Sequence, residues 1–191
     1  VTAARNAGQL PVYYSLPRGS GYVSAGHTGM IRNPNGYIND TAYPLYYFGH
    51  GLSYTTFAYS KIKTEKETYD ADEELQLSVE IKNTGAMAGD EVVQLYYSDD
   101  VSSMIRPSME LAGFCRIFLE KGETKKVIFK MKISQMAFIN EKMEWIVEKG
   151  TMTLLIGASS NDIRQKTKIT IADTQTIEET TRGFYAEAEE E

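Results

Sequence analysis

Leu75-Gln76-Leu77-Ser78-Val79-Glu80-Ile81-Lys82 runs directly into Asn83-Thr84-Gly85. Apolar and polar side chains alternate strictly through the first eight of these residues. In an extended chain, successive side chains point to opposite faces. Leu75, Leu77, Val79 and Ile81 then share one face, and Gln76, Ser78, Glu80 and Lys82 share the other. A helix would scatter both sets around its axis. The segment is predicted to be a half-buried strand, and Asn-Thr-Gly the turn that ends it.

The same rhythm continues outward from this strand. Val93, Leu95 and Tyr97 interleave with Gln94 and Tyr96, and a further strand is expected over 112–119. Lys121-Gly122 makes a turn, after which Val127, Phe129, Met131 and Ile133 alternate with Ile128, Lys130 and Lys132. Trp145-Ile146-Val147 is a short apolar piece, and Lys149-Gly150 turns again before Met152, Leu154 and Ile156. Ile169 and Ile171 close the series, and residues 57–62 open it. About seven short strands between residues 54 and 172, with glycine-bearing turns, predict an all-β fold, an immunoglobulin-like antiparallel β-sandwich. Leu77, Val79, Ile81, Leu95, Phe129, Met131, Trp145 and Leu154 are expected in its core. Residues 131–138 fit one turn of helix, and no longer helical period exists.

Residues 1–51 read differently and form an irregular N-terminal extension. They hold eight of the 15 glycines and four of the five prolines. Asn33-Pro34-Asn35-Gly36 and Asn39-Asp40 add turn chemistry. Only Leu10 to Tyr14 resembles a strand there. A long structureless stretch needs a surface to lie on. Between Val12 and Gly51 it carries eight aromatics, more than a solvated linker requires. Tyr13, Tyr14, Tyr22, Tyr37 and Tyr43 are therefore the candidate interface residues toward neighbouring domains. Without such partners, self-association or mobility of this stretch is expected. The far end, residues 173–191, is polar and acidic, and is expected to be loosely docked or disordered.

Composition narrows the function. The net charge is −6 and the isoelectric point about 5.1, with no basic stripe for nucleic acid. No apolar run approaches the ~18 residues that span a bilayer. Cys115 is the only cysteine, so no intrachain disulfide exists, and its apolar neighbours suggest a buried, inert thiol. The chain starts at Val1 with neither methionine nor signal peptide, as an excised segment would, and leaves the compartment unknown.

Catalytic and metal chemistry find little support. Glycoside hydrolysis needs two carboxyl groups flanking the bond. The chain has 26 acids, but Asp70, Asp72, Glu73, Glu74, Asp99 and Asp100 sit beside strands, where acids usually form a solvated rim. Asp70-x-Asp72-x-Glu74 lacks the glycine and distal glutamate of a calcium loop. His27 and His50 are the only histidines and have no metal-ligand spacing. No Gly-x-Ser-x-Gly elbow and no phosphate loop occur. Asn39-Asp40-Thr41 is a glycosylation sequon of a kind common by chance. No catalytic residue, cofactor site or metal site is assigned.

Pro44-Leu45-Tyr46-Tyr47-Phe48-Gly49-His50-Gly51-Leu52-Ser53-Tyr54-Thr55-Thr56-Phe57 carries the strongest signal. It closely resembles the segment of family 3 glycoside hydrolases in which an α/β-sandwich domain hands over to a fibronectin type III-like domain. Gly8 to Tyr14 resembles the strand that ends that sandwich domain. Gly89 to Tyr96, then Arg106-Pro107 with Glu110 to Phe114, and Ile156 to Ile163 resemble further blocks in family order. Tyr47 stands where the family commonly has proline, and Ser15 where it has asparagine. The resemblance implies a division into 1–51 (end of the α/β-sandwich domain and linker), 52–172 (fibronectin type III-like domain) and 173–191 (acidic tail). It also implies a parent that removes terminal β-linked sugars, a β-glucosidase most often. The family's aspartate nucleophile lies on a TIM-barrel domain, and its acid/base glutamate earlier in the α/β-sandwich domain. Neither motif occurs here, so those two domains are the expected partners, and carbohydrate is met only through the parent. A free-standing carbohydrate-binding or adhesion module is the alternative, and a complete small enzyme a third.

Overall fold

The computed structural model of the protein describes residues 46–191. Its strands are β1 (Phe57–Tyr59), β2 (Lys63–Thr64), β3 (Thr68–Tyr69), β4 (Glu74–Asn83), β5 (Gly89–Asp99), β6 (Glu110–Leu119), β7 (Thr124–Lys132), β8 (Phe138–Ile139), β9 (Trp145–Val147), β10 (Gly150–Ser159), β11 (Asp162–Ile171), β12 (Gln175–Thr176) and β13 (Glu187–Glu190). The alternating stretch is β4, and its apolar residues are buried while Glu80 and Lys82 are exposed. One sheet has the order β1-β4-β7-β13, with β2 also on β4. The second has the order β3-β11-β10-β5-β6. A small third sheet joins β12, β9 and β8. All pairings are antiparallel except the two-residue contact of β3 with β11.

The two large sheets enclose one core. Leu75, Leu77, Val79 and Ile81 of β4 meet Val127, Phe129 and Met131 of β7. Facing them are Val93, Leu95 and Tyr97 of β5, Ile117 and Leu119 of β6, and Leu154 and Ile156 of β10. Seven of the eight expected core residues are buried here. Trp145 is the exception, being half-buried at the margin with the Arg182 guanidinium 4.1 Å from its ring centroid. Val147 takes the interior place instead. Beyond Lys132 the alternation breaks into a single 3-10 turn, Ile133–Met136, whose four residues are all buried. Cys115 is half-buried rather than enclosed, and burial still pushes its thiol pKa up. Among the described residues no helix is long and apolar enough to cross a membrane.

The acidic end departs from expectation. It carries β12 and β13, and β13 pairs along β7. Lys125, Lys126 and Lys130 face Glu190, Glu191 and Glu189 at 3.3, 2.9 and 2.9 Å. Exposed pairs of this kind contribute little singly. Burial of Ala186 and the main-chain ladder add to them. Ala186 N–H also donates to the carbonyl of Ala112 on β6, and a Cβ on Gly113 would lie 2.9 Å from Ala186. The segment closes the open side between the sheets.

A buried polar clip ties the ends together. Asn83 is fully buried at the end of β4. Its Oδ1 accepts from the Thr55 hydroxyl at 2.7 Å and from Gly85 N–H at 3.0 Å. Its Nδ2 donates to the carbonyls of Met87 at 2.9 Å and Leu119 at 3.1 Å. The amide thus uses both donors and both lone pairs.

Candidate functional site

Residues 46–56 form no strand, yet their backbone is pinned to the second sheet. His50 N–H donates to the Tyr47 carbonyl, closing a turn, and Gly49 adopts φ +78°. Gln94 projects from β5 on the face away from the core. Its Nε2 donates to the carbonyls of Gly49 at 3.0 Å and Ala158 at 2.7 Å, and its Oε1 accepts from the Tyr96 hydroxyl at 2.6 Å. A Cβ on Gly49 would lie 2.0 Å from that Oε1, so only glycine fits both the turn and the approach. Ser160 N–H donates to the Phe48 carbonyl at 2.9 Å. Tyr46 stacks on His50 at 4.8 Å, and His50 Nε2 is buried with no hydrogen-bond partner.

Between this strap and the sheet lies a cleft of about 560 Å³, whose lining includes His50, Leu52, Val92, Gln94, Phe114 and Arg164. Three acids also border it. Asp90 is forked by Arg116 at 3.2 and 3.0 Å, and Asp162 is forked by Arg164 through Nε and Nη2. Glu91 accepts from the Tyr59 hydroxyl at 2.8 Å. Burial pushes the Glu91 carboxyl pKa up, against the Tyr59 hydrogen bond and the Arg164 charge, which pull it down. Burial, followed by the Glu91 charge, pushes the Tyr59 hydroxyl far above its ordinary value. A hydrolytic pair needs a protonated carboxyl facing a free carboxylate across the sugar. Here two acids are held by arginines and the third is occupied by a phenol. The arrangement is a cleft bordered by ion pairs and one tyrosine–carboxylate hydrogen bond. Among the described residues no group of three or more His, Cys, Asp or Glu side chains could hold a metal ion.

A second polar cluster supports the loop between β5 and β6. Asp99, expected on a solvated rim, has a side chain only 6% exposed. Arg106 folds back onto it at 3.2 Å and onto Glu110 at 2.9 Å, with the Phe138 ring centroid 4.9 Å away. Burial raises the Asp99 carboxyl pKa, and the Arg106 charge opposes this.

Tyr13, Tyr14, Tyr22, Tyr37 and Tyr43, with the strand expected over 10–14 and the sequon, lie outside the described residues. Sequence reasoning missed Gln94 and the outer face of β6. The available signal was Phe114, Arg116 and Phe118 alternating with Cys115, Ile117 and Leu119, which makes a strand apolar on both faces.

Comparison with known proteins agrees with this architecture. A fibronectin type III-like domain family matches residues 91–160. A putative beta-xylosidase of Formosa agariphila is 42% identical over 165 residues, covering 86% of this chain and 20% of that protein. The thermostable beta-glucosidase B of Acetivibrio thermocellus is 44% identical, covering 70% of this chain and 18% of its own length. Among solved structures, a β-glucosidase of Erythrobacter marinus superposes with a TM-score of 0.72 at 35% identity, over 90% of this chain and 21% of that one. A β-glucosidase involved in saponin metabolism from intestinal bacteria gives 0.73 at 36% identity, over 90% and 22%. The chain thus spans about a fifth of the relatives it matches. With the two-sheet sandwich and the strap that leads into it, these matches establish that the chain belongs to family 3 of the glycoside hydrolases, as the region that carries their fibronectin type III-like domain.

Proposed function

We propose that this chain is a non-catalytic structural and accessory module of a longer family 3 hydrolase that removes terminal β-linked sugars, glucose or xylose. The observation that carries this reading is the coverage. Beta-glucosidases and beta-xylosidases match most of this chain with only about a fifth of their own length. On this reading the nucleophile and the acid/base reside on TIM-barrel and α/β-sandwich domains of the parent. Residues 1–51 are the end of the α/β-sandwich domain and the linker. Tyr13, Tyr14, Tyr22, Tyr37 and Tyr43 belong to the contact between domains. Purified chain, assayed with aryl β-glucosides and β-xylosides, is expected to show no turnover. Sustained hydrolysis that disappears on a single Asp or Glu substitution overturns the reading.

A further inference from the structure

A sandwich strand with one solvated face reads apolar inward and polar outward. β6 does not. Cys115, Ile117 and Leu119 face the core, while Phe114 and Phe118 on the outer face are 61% and 46% exposed, with Arg116 between them. Across on β5, Val92 opposite Arg116 is 38% exposed. Tyr96 and Leu155, also outside the core cluster, are buried. The outer face therefore mixes apolar side chains with Asp90, Gln94 and Arg116, and its apolar part is only partly covered. Leu52 and Tyr54 on the strap are 90% and 96% exposed. Isolated exposed apolar residues are ordinary. Leu52, Val92 and Phe114 line one cleft beside Asp90, and Arg116 and Phe118 continue the same outer face along β6, an aromatic and arginine composition typical of an interface.

We infer that the outer face of the β5–β6 hairpin is the docking surface for the upstream domain of the same polypeptide, with Phe114 and Phe118 as anchors. This rests on the reading of the chain as one module of a longer hydrolase. Two observations select that occupant. The strap is held to this face at Gly49 by Gln94 and to the adjoining β10–β11 turn at Phe48, so the strap runs beside the exposed patch. Covalent attachment through the segment that leads into the strap gives the upstream domain a high effective concentration there. About four-fifths of the relatives' length lies outside the region matched, so a body large enough to cover the patch is accounted for.

The test is hydroxyl-radical footprinting of the full-length polypeptide beside the 191-residue chain at low concentration. Phe114 and Phe118 are expected to oxidise several-fold more slowly, on the order of fivefold, in the full-length protein. The double substitution Phe114→Ser, Phe118→Ser should lower the Tm of the full-length protein by clearly more than that of the isolated chain, where the rings are 61% and 46% exposed. Equal oxidation in the two samples overturns the proposal while leaving the module reading intact. Protection in the isolated chain that grows with its concentration assigns the face to a second copy and also overturns it. A gene that encodes no upstream domain removes both readings before any footprint is taken.

Discussion

Asn83 joins three parts of the molecule: the strap through Thr55, the β4 turn through Gly85 and Met87, and the second sheet through Leu119. Asn83→Ala removes four side-chain hydrogen bonds and leaves their partners at a buried junction. The main-chain bonds to Glu123 and Gly122 stay in place. At a net ~1 kcal/mol for each hydrogen bond, part of it offset because the carbonyls of Met87 and Leu119 have a second lone pair, the cost is about 3 kcal/mol. For a chain of this size that corresponds to a fall in Tm of roughly 6–12 °C. The measurement is urea unfolding followed by far-UV circular dichroism and by fluorescence of Trp145, the only tryptophan. Thr55→Val removes one of the four bonds and should cost about 1 kcal/mol. Thr56→Ala, which loses an exposed hydroxyl contact to Thr84, should stay within ~0.5 kcal/mol. A loss below about 1 kcal/mol for Asn83→Ala would refute the reasoning, because the clip would then add nothing beyond what water supplies.

Arg106→Ala leaves the nearly buried Asp99 carboxylate without its counter-charge, and a cost of about 3–5 kcal/mol is expected in thermal or urea unfolding. Burial raises the Glu91 pKa, so the folded state binds that proton more tightly than the unfolded chain does. The stability this contributes is complete below the unfolded carboxyl value and is lost as pH rises through the folded one. Glu91→Gln should therefore match the native protein below about pH 4 and become the more stable of the two toward pH 7, as read from paired urea titrations across that range. Reversing one member of the β7–β13 pairs, Lys130→Glu or Glu189→Lys, should destabilise by less than ~1 kcal/mol and the double reversal should restore stability, with the coupling shrinking in high salt.

Much of this fold was legible because period two is a local property. Leu75 to Ile81 alternate for reasons set by the covalent geometry of an extended chain, and any core that forms must take that face. The motif blocks from Gly8 to Ile163 pointed to the family in the same local way. What the sequence could not settle were contacts between remote segments. Ala186 to Glu190 read as an acidic tail because the lysines that receive it lie 59–65 residues earlier. Asp99 read as a rim residue until Arg106 folded back over it. Trp145 is of a residue type common in cores, but Val147 takes the interior place and Trp145 lies at the margin against Arg182. Gln94 is an ordinary outward polar residue until Gly49, 45 positions away, lies on it. The sequence by itself determined the long alternating strands, the inward face of β4, β5 and β7, and the family. Only the tertiary structure decided which outward faces are covered, because that depends on which surfaces remain once the core has closed.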